Sequence, residues 1–234
     1  MKGVILAGGT GSRLYPATKI TNKHCLPIGN RLMLEYPLET LKKLGISDIM
    51  IVVGGNNTGD IVEYFGDGNK FGVKLSYKYQ TEPNGIAGAV ALTENFIGEE
   101  NFLVCLGDNY FDMDIDLQDH DTLCSIFIKE VADPERFGVA IFENNKVVGV
   151  VEKPIEAPSN FALTGLYKFT PDVFNVIRTL RPSDRGELEI THAIDYYFAN
   201  NPEKIDYNIV EGYWSDMGTW ATYLKVSNHV INKK

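Results

Sequence analysis

Lys2-Gly3-Val4-Ile5-Leu6-Ala7-Gly8-Gly9-Thr10-Gly11-Ser12-Arg13-Leu14 is the stretch on which the fold turns. A short apolar run stops at a glycine cluster, and a positive charge follows at once. The pattern predicts a buried strand over residues 3–7. It also sets the Gly8–Gly11 backbone at the carboxyl end of a parallel sheet, the edge where open α/β sheets bind ligands. Glycine lets the backbone approach a ligand and aim N–H groups at oxygen anions. Arg13 adds a planar, permanent charge suited to phosphate. The stretch lacks the Gly-Lys-Ser/Thr of a Walker A loop, and Leu14 stands where a dinucleotide fingerprint wants Gly or Ala. Two readings stay open here: a polyphosphate cradle, or a glycine turn that only closes tightly.

Outward from this loop, leucines 34, 38, 41 and 44 recur at helical spacing and stop at Gly45. Residues 48–53 form an apolar run that predicts a second strand, so the start of the chain is a right-handed βαβ unit. Asn57 or Thr58 caps a short helix to Phe65. Residues 75–80 alternate as a third strand, and a turn at Glu82-Pro83-Asn84-Gly85 leads into a helix of small residues over 86–96. Residues 102–106 form a fourth strand that runs into Gly107-Asp108-Asn109. This alternation predicts an α/β fold: a Rossmann-like, doubly wound, mostly parallel sheet with helices on both faces. Beyond Asp112 the pattern becomes a smaller β-rich portion. Strands are expected at 123–129, 139–142, 146–152 and 164–169, with Asn144-Asn145 as a hairpin turn. Helices are expected at 171–179 and 187–199, a strand at 205–210, a polar turn at 214–216 and a last helix from Thr219. With no linker or repeat, residues 1–234 read as one domain, 1–111 and 112–234 being its two halves.

The chain has 234 residues, of which 44% are hydrophobic and 23% charged, an ordinary globular balance. Its net charge of -9 argues against a nucleic-acid partner. No apolar run approaches the ~20 residues of a membrane span or the core of a signal peptide. Three cysteines without Cys-x-x-Cys spacing read as reduced thiols of a cytoplasmic protein, with no zinc site.

Several ionisable residues fall where predicted strands end. Asp108 closes an apolar strand at the same edge as the glycine loop; it is either a Mg²⁺ ligand or a turn Asp serving local N–H groups. Asp216 poses the same choice. Glu152-Lys153 is either a site pair or a surface ion pair. Arg185, just before a helix, is an anion site or a solvated charge. Taken together, Arg13, Lys23, Lys153, Arg185, Asp108 and Asp216 make an inventory for phosphoryl or nucleotidyl transfer, which works by positioning and charge neutralisation. No Ser-His-Asp or Cys-His arrangement competes.

These residues resemble the sugar-1-phosphate nucleotidyltransferases. The resemblance is carried by Gly3 to Leu14, Lys23-x-x-Leu-Pro-Ile, Gln80 with Pro83-Asn84-Gly85 and Gly107-Asp108-Asn109. It continues through Asp133-Pro-Glu-Arg-Phe-Gly138, Glu152-Lys153-Pro154, Thr164-Gly165, Arg185-Gly-Glu-Leu-Glu-Ile-Thr191 and Trp214-x-Asp216-x-Gly218-Thr219. The motifs span nearly the whole chain, and the subgroup they resemble most is the glucose-1-phosphate thymidylyltransferases. The resemblance implies a Mg²⁺-assisted, in-line attack of a hexose 1-phosphate, glucose 1-phosphate preferred, on the α-phosphorus of dTTP. It implies a nucleotide site of Leu6, Gly8, Gly9, Thr10, Gly11, Arg13, Gln80, Pro83, Gly85 and Asp108. It implies a sugar-phosphate site of Asn109, Gly138, Glu152, Lys153, Thr164, Gly165 and Arg185. Catalytic roles fall to Arg13, Lys23, Asp108 and Lys153, and metal binding to Asp108 and Asp216. A homo-oligomer is a further expectation.

Two departures qualify the resemblance. His24 stands where thymidylyltransferases usually have Gln, read as a neutral substitution over one that reshapes nucleotide contacts. Residues 112–122 are short and rich in Asp, as though a helix had been trimmed. The chain also stops soon after its last helix, so the expectation is that it lacks the C-terminal helices with which longer relatives build an allosteric site. Two alternatives remain at this stage: a UTP-using or other hexose-1-phosphate enzyme, and a non-catalytic sugar-nucleotide sensor.

Overall fold

The computed structural model describes residues 1–117 and 121–233. Strand β1 (Lys2–Ala7) is buried from Gly3 onward. A two-stranded hairpin, β2 (Pro27–Ile28) with β3 (Arg31–Leu32), precedes helix α1 (Glu35–Lys43). Then come β4 (Asp48–Gly54), α2 (Thr58–Phe65), β5 (Lys74–Gln80), α3 (Ile86–Ala91), α4 (Glu94–Ile97), β6 (Phe102–Leu106) and β7 (Asn109–Asp112). The second half supplies β8 (Cys124–Glu130), β9 (Gly138–Glu143), β10 (Lys146–Glu152), β11 (Phe161–Phe169), α5 (Val173–Thr179) and α6 (Ile190–Asn200). It closes with β12 (Ile205–Ile209), β13 (Tyr213–Asp216) and α7 (Trp220–Asn232).

β1 runs parallel between β4 and β6, and β5 extends the parallel block beyond β4. β11 then lies antiparallel to β6 and to β8, while β9 and β10 hang from its N-terminal end. The nine strands form one mostly parallel-cored sheet with an antiparallel flank. Alternation along β1 feeds two cores. Val4 and Leu6 pack with α3, α5 and α6 on one face, and Ile5 and Ala7 pack with α1 and α2 on the other. Burying Val4, Ile5 and Leu6 stabilises the sheet by about 1.5–3 kcal/mol each.

Four local expectations change. The helix expected over 86–96 is broken in two, because the Thr93 amide (2.9 Å) and hydroxyl (2.7 Å) both return to the Val90 carbonyl and tighten the turn. The helix expected from 187 begins at Ile190, because the Leu188 amide is spent on the Asn84 carbonyl at 2.8 Å. Residues 214–216 are not a turn but part of β13, paired antiparallel with β7. Asn57 holds the N-cap position of α2 but makes no side-chain capping bond; its side chain donates to the Ile20 carbonyl at 2.7 Å. Asn144 and Asn145, both at positive φ (48° and 60°), make the expected tight turn between β9 and β10. Residues 113–117 carry no helix; 118–120 lie outside the described residues.

Candidate active site

The carboxyl ends of β1, β4, β5 and β6 meet on one edge of the sheet. Gly8, just past β1, lies so close to β4 and β5 that a Cβ there would collide with Gln80 Oε1. A Cβ on Gly54 would in turn sit 3.0 Å from Gly8 Cα. This close backbone approach opens a hollow lined by Leu6, Gly8, Gly9, Lys23, Gln80, Pro83, Gly85, Ile86, Ala89, Leu106, Asp108 and Glu187. Gly85 (φ +97°) enters α3 beside residue 188, where a Cβ would be 2.7 Å from the Leu188 nitrogen. Thr10 and Gly11 do not line the hollow. Gly11 accepts from the Thr18 hydroxyl at 2.6 Å and shapes the loop behind Lys23.

Lys23 begins a single turn of 3₁₀ helix that is locked from behind. Asn22 Oδ1 accepts from the His24 amide (3.1 Å) and lies 2.8 Å from His24 Nδ1, while Asn22 Nδ2 donates to the Gly54 and Asn56 carbonyls at 3.3 and 3.1 Å. His24 is buried, and burial, helped by the Lys23 charge, pushes its pKa down to about 3. The neutral ring therefore donates through Nδ1 to Asn22 and packs against Gly107, where a Cβ would sit 2.8 Å away. It is a wedge under the site and not one of its lining residues. The turn delivers Lys23 Nζ to Asp108 Oδ2 at 2.6 Å. Burial raises the Asp108 pKa, but the Lys23 charge and hydrogen bond overcome it, and the carboxyl stays below its ordinary range.

Asp216 reaches the same place by a different route. In the β7–β13 ribbon it pairs with Asn109, and the Met217 amide donates to the Asp108 carbonyl at 2.7 Å. Its carboxylate accepts from Arg136 Nη2 (3.2 and 3.4 Å) and from the Gly218 amide (3.1 Å). Burial and the neighbouring Asp108 push its pKa up, against Arg136. A Cβ on Gly218 would lie 3.1 Å from Arg13 Nη2, 3.1 Å from Asp216 Oδ2 and 3.3 Å from Asp108 Oδ2. Two carboxylates and Arg13 thus converge on one bare backbone position. Among the described residues no cluster of three or more His, Cys, Asp and Glu gathers. A pair of carboxylates whose repulsion raises one of them suits Mg²⁺, which takes one or two carboxylates and completes its shell with water and phosphate oxygens.

A second hollow shares Ile86, Leu106 and Asp108 with the first. Its walls carry Asn109, Gly138, Glu152, Lys153, Thr164 and Gly165, assigned from the sequence to a sugar-phosphate site, together with Arg13, assigned there to the nucleotide, and Asp216, assigned to a metal. Arg136, Phe137, Tyr167, Thr191 and Trp214 also line it and were not singled out there. The irregular pairing of β11 with β8 between Leu163 and Tyr167 pushes Thr164 and Gly165 toward this wall. Trp214 Nε1 donates to Asn109 Oδ1 at 2.8 Å, and Thr191 Oγ1 donates to Glu152 Oε2 at 3.1 Å. Lys153 sits at φ 39°, a left-handed conformation uncommon for a side-chain-bearing residue, with Nζ 3.4 Å from Glu152 Oε1. Arg13 lines this hollow and not the first, on the side where Asp108 and Asp216 approach Gly218. Arg185 stays outside it, bonded to Glu187 and 3.7 Å from Glu152 Oε1.

Residues 2–233 match the Nucleotidyl transferase family. The chain belongs to that family. The low-salt glycan biosynthesis nucleotidyltransferase Agl11 of Haloferax volcanii is 39% identical over 100% of this chain and 67% of its own length. The glucose-1-phosphate thymidylyltransferase of Streptomyces antibioticus is 38% identical over 99% of this chain and 66% of its length. The chain therefore spans about two thirds of these curated relatives. Among solved structures, a Bacillus anthracis protein described as a candidate glucose-1-phosphate thymidylyltransferase, with sucrose bound, superposes with a TM-score of 0.91. It is 43% identical, and the match covers 98% of this chain and 94% of that one. A UDP-glucose pyrophosphorylase complexed with UDP-glucose gives a TM-score of 0.85 at 26% identity, over 100% and 99%. Among the described residues no helix is long and apolar enough to cross a membrane.

Proposed function

We propose that this protein transfers the thymidylyl group of dTTP to glucose 1-phosphate, releasing pyrophosphate. The observation that supports this most is the sharing of Asp108 by two hollows, with Asp216 and Arg13 at the junction. Two anionic substrates need adjoining seats and concentrated countercharge where they meet. On this reading Gln80 offers a donor and an acceptor to the pyrimidine edge, with the Gly85 backbone beside it. The Gly8 and Gly9 backbone faces the phosphates. Lys23 leaves its pair with Asp108 to offset charge on the α-phosphoryl oxygens. Arg13 serves the departing pyrophosphate. Glu152, Asn109, Thr164 and the Gly138 backbone bond sugar hydroxyls, while Lys153 and Arg185 hold the sugar phosphate. Asp108 and Asp216 would hold Mg²⁺, which would neutralise phosphate charge and make the α-phosphorus more electrophilic.

The step is a single displacement. A phosphate oxygen of the sugar 1-phosphate forms a bond to the α-phosphorus as the bond to the β-phosphate oxygen breaks, and pyrophosphate carries away the electron pair. A second reading exchanges UTP for dTTP, because uracil and thymine share the edge offered to Gln80 and one methyl contributes only about 1 kcal/mol. Likeness to a UDP-glucose pyrophosphorylase supports keeping it open. Pyrophosphate release, measured with Mg²⁺ for dTTP, UTP, CTP, GTP and ATP against several hexose 1-phosphates, tests both. Fastest release with dTTP and glucose 1-phosphate is expected. Faster turnover of UTP transfers the claim to the second reading, and silence on every pair favours a non-catalytic sensor.

A further inference from the structure

Among the described residues, Glu187 is the one carboxylate besides Asp108 that lines the nucleotide-side hollow. It lies in the extended segment ahead of α6, and that segment is welded to the base-side loop. The Leu188 amide donates to the Asn84 carbonyl (2.8 Å) and the Ala87 amide to the Leu188 carbonyl (3.0 Å), with Gly85 packed between. The same segment carries Arg185, whose guanidinium bonds Glu187 and reaches Glu189 at 3.4 Å and Glu152 at 3.7 Å. Glu152 lines the sugar-side hollow. One arginine thus ties a carboxylate of each hollow together.

A carboxylate accepts hydrogen bonds and repels phosphate, so Glu187 serves neither the triphosphate nor an acceptor on the base. The donor that the pyrimidine offers faces Gln80 on the reading above. What remains in a nucleotide for an acceptor beside Gly85 is the hydroxyl edge of its sugar, a group that carboxylates read in other nucleotide sites. We propose that Glu187 is a specificity-determining residue that accepts a hydrogen bond from the 3′-hydroxyl of the bound nucleotide. Arg185 restrains it until an anion in the sugar-side hollow draws the guanidinium away. This rests on the nucleotidyl-transfer reading and adds to it a coupling between the two hollows. By linkage, an anion that takes Arg185 tightens nucleotide binding, and the nucleotide tightens anion binding by the same factor.

The test is calorimetric binding of dTTP and of its 3′-deoxy analogue to wild type, Glu187→Ala and Glu187→Met, each with Mg²⁺ and no sugar phosphate. Each titration is repeated with millimolar inorganic phosphate as the probe for Arg185. In wild type, loss of the 3′-hydroxyl should weaken binding about tenfold, and phosphate should tighten dTTP but not the 3′-deoxy analogue. Both Glu187 variants should bind the two nucleotides alike and ignore phosphate. Glu187→Met keeps the side-chain length without an acceptor oxygen, so it carries the test if Glu187→Ala does not fold. Undiminished discrimination of the 3′-hydroxyl in Glu187→Met would overturn the inference while leaving the transferase reading intact. Failure of wild type to bind any nucleoside triphosphate would overturn both.

Discussion

The glycine-loop edge and the β7–β13 ribbon each bring one acidic residue to the same point, and they treat it in opposite ways. Asp108 follows β6, a buried parallel strand, and meets Lys23 at 2.6 Å, so its carboxyl is held below the ordinary range despite burial. Asp216 sits on a two-stranded ribbon of four residues a side. Burial and Asp108 raise it, and Arg136, already engaged by Asp133 at 2.6 Å, compensates only in part. Both carboxylates have hydrogen-bond partners, but the charge of the first is fully offset in the resting protein and that of the second only in part. The site therefore holds an electrostatic debt on one side, which a cation between the two would relieve.

Changes at the junction should have the largest effects. Arg13→Ala removes the charge aimed at the leaving group and should lower kcat for pyrophosphate release by about 10³-fold, with Arg13→Lys in between. Preserved turnover in Arg13→Ala would place the leaving group elsewhere. Stability separates the two carboxylates. Asp108→Asn leaves Lys23 without its ion partner and should destabilise the metal-free protein by about 3 kcal/mol in urea unfolding. Asp216→Asn removes a repelled charge and should stabilise it slightly, by about 0.5–1 kcal/mol, while abolishing Mg²⁺-dependent turnover.

The pH dependence follows with opposite signs. For Asp216 the folded pKa lies above the ordinary 3.8, so the folded state binds more protons through that window. Its contribution is full below about pH 4 and is lost as pH rises through the raised value. For Asp108 the contribution is present above 3.8 and is lost as pH falls through its lowered value. The stability advantage of Asp216→Asn over wild type should therefore grow from about pH 4 toward neutrality and fade in acid, as read from urea midpoints. The smallest effect on turnover is expected at Trp214→Phe, which leaves buried Asn109 Oδ1 without its indole donor. About 1–2 kcal/mol of stability should be lost, with KM for the sugar phosphate raised more than kcat is lowered.

The glycine-loop side was legible in sequence because its information is local. An apolar run, a glycine cluster and Gly45 closing α1 at φ +79° each act within a few residues. The strand order of the parallel block follows from such units. The ribbon was not legible in this way. Trp214-Ser215-Asp216 is polar enough to read as a turn, and it becomes β13 only because β7, far away in sequence, presents a free edge. Arg136 shows the same limit, since its value lies in reaching Asp216 across the fold. Its place inside the Asp133–Gly138 motif was the one signal that could have marked it. The break between α3 and α4 was missed for a smaller reason, because Thr93 bonds backward only once its hydroxyl is buried under the helix.

The central claim is that both hollows are filled at once, so that one displacement joins their contents at the shared Asp108. The stereochemical course at phosphorus tests it most directly. With a single isomer of dTTP in which sulfur replaces one non-bridging α-oxygen and makes that phosphorus stereogenic, a single in-line displacement predicts a sugar nucleotide of inverted configuration. Retention would require two displacements through a covalent enzyme intermediate and would contradict the account.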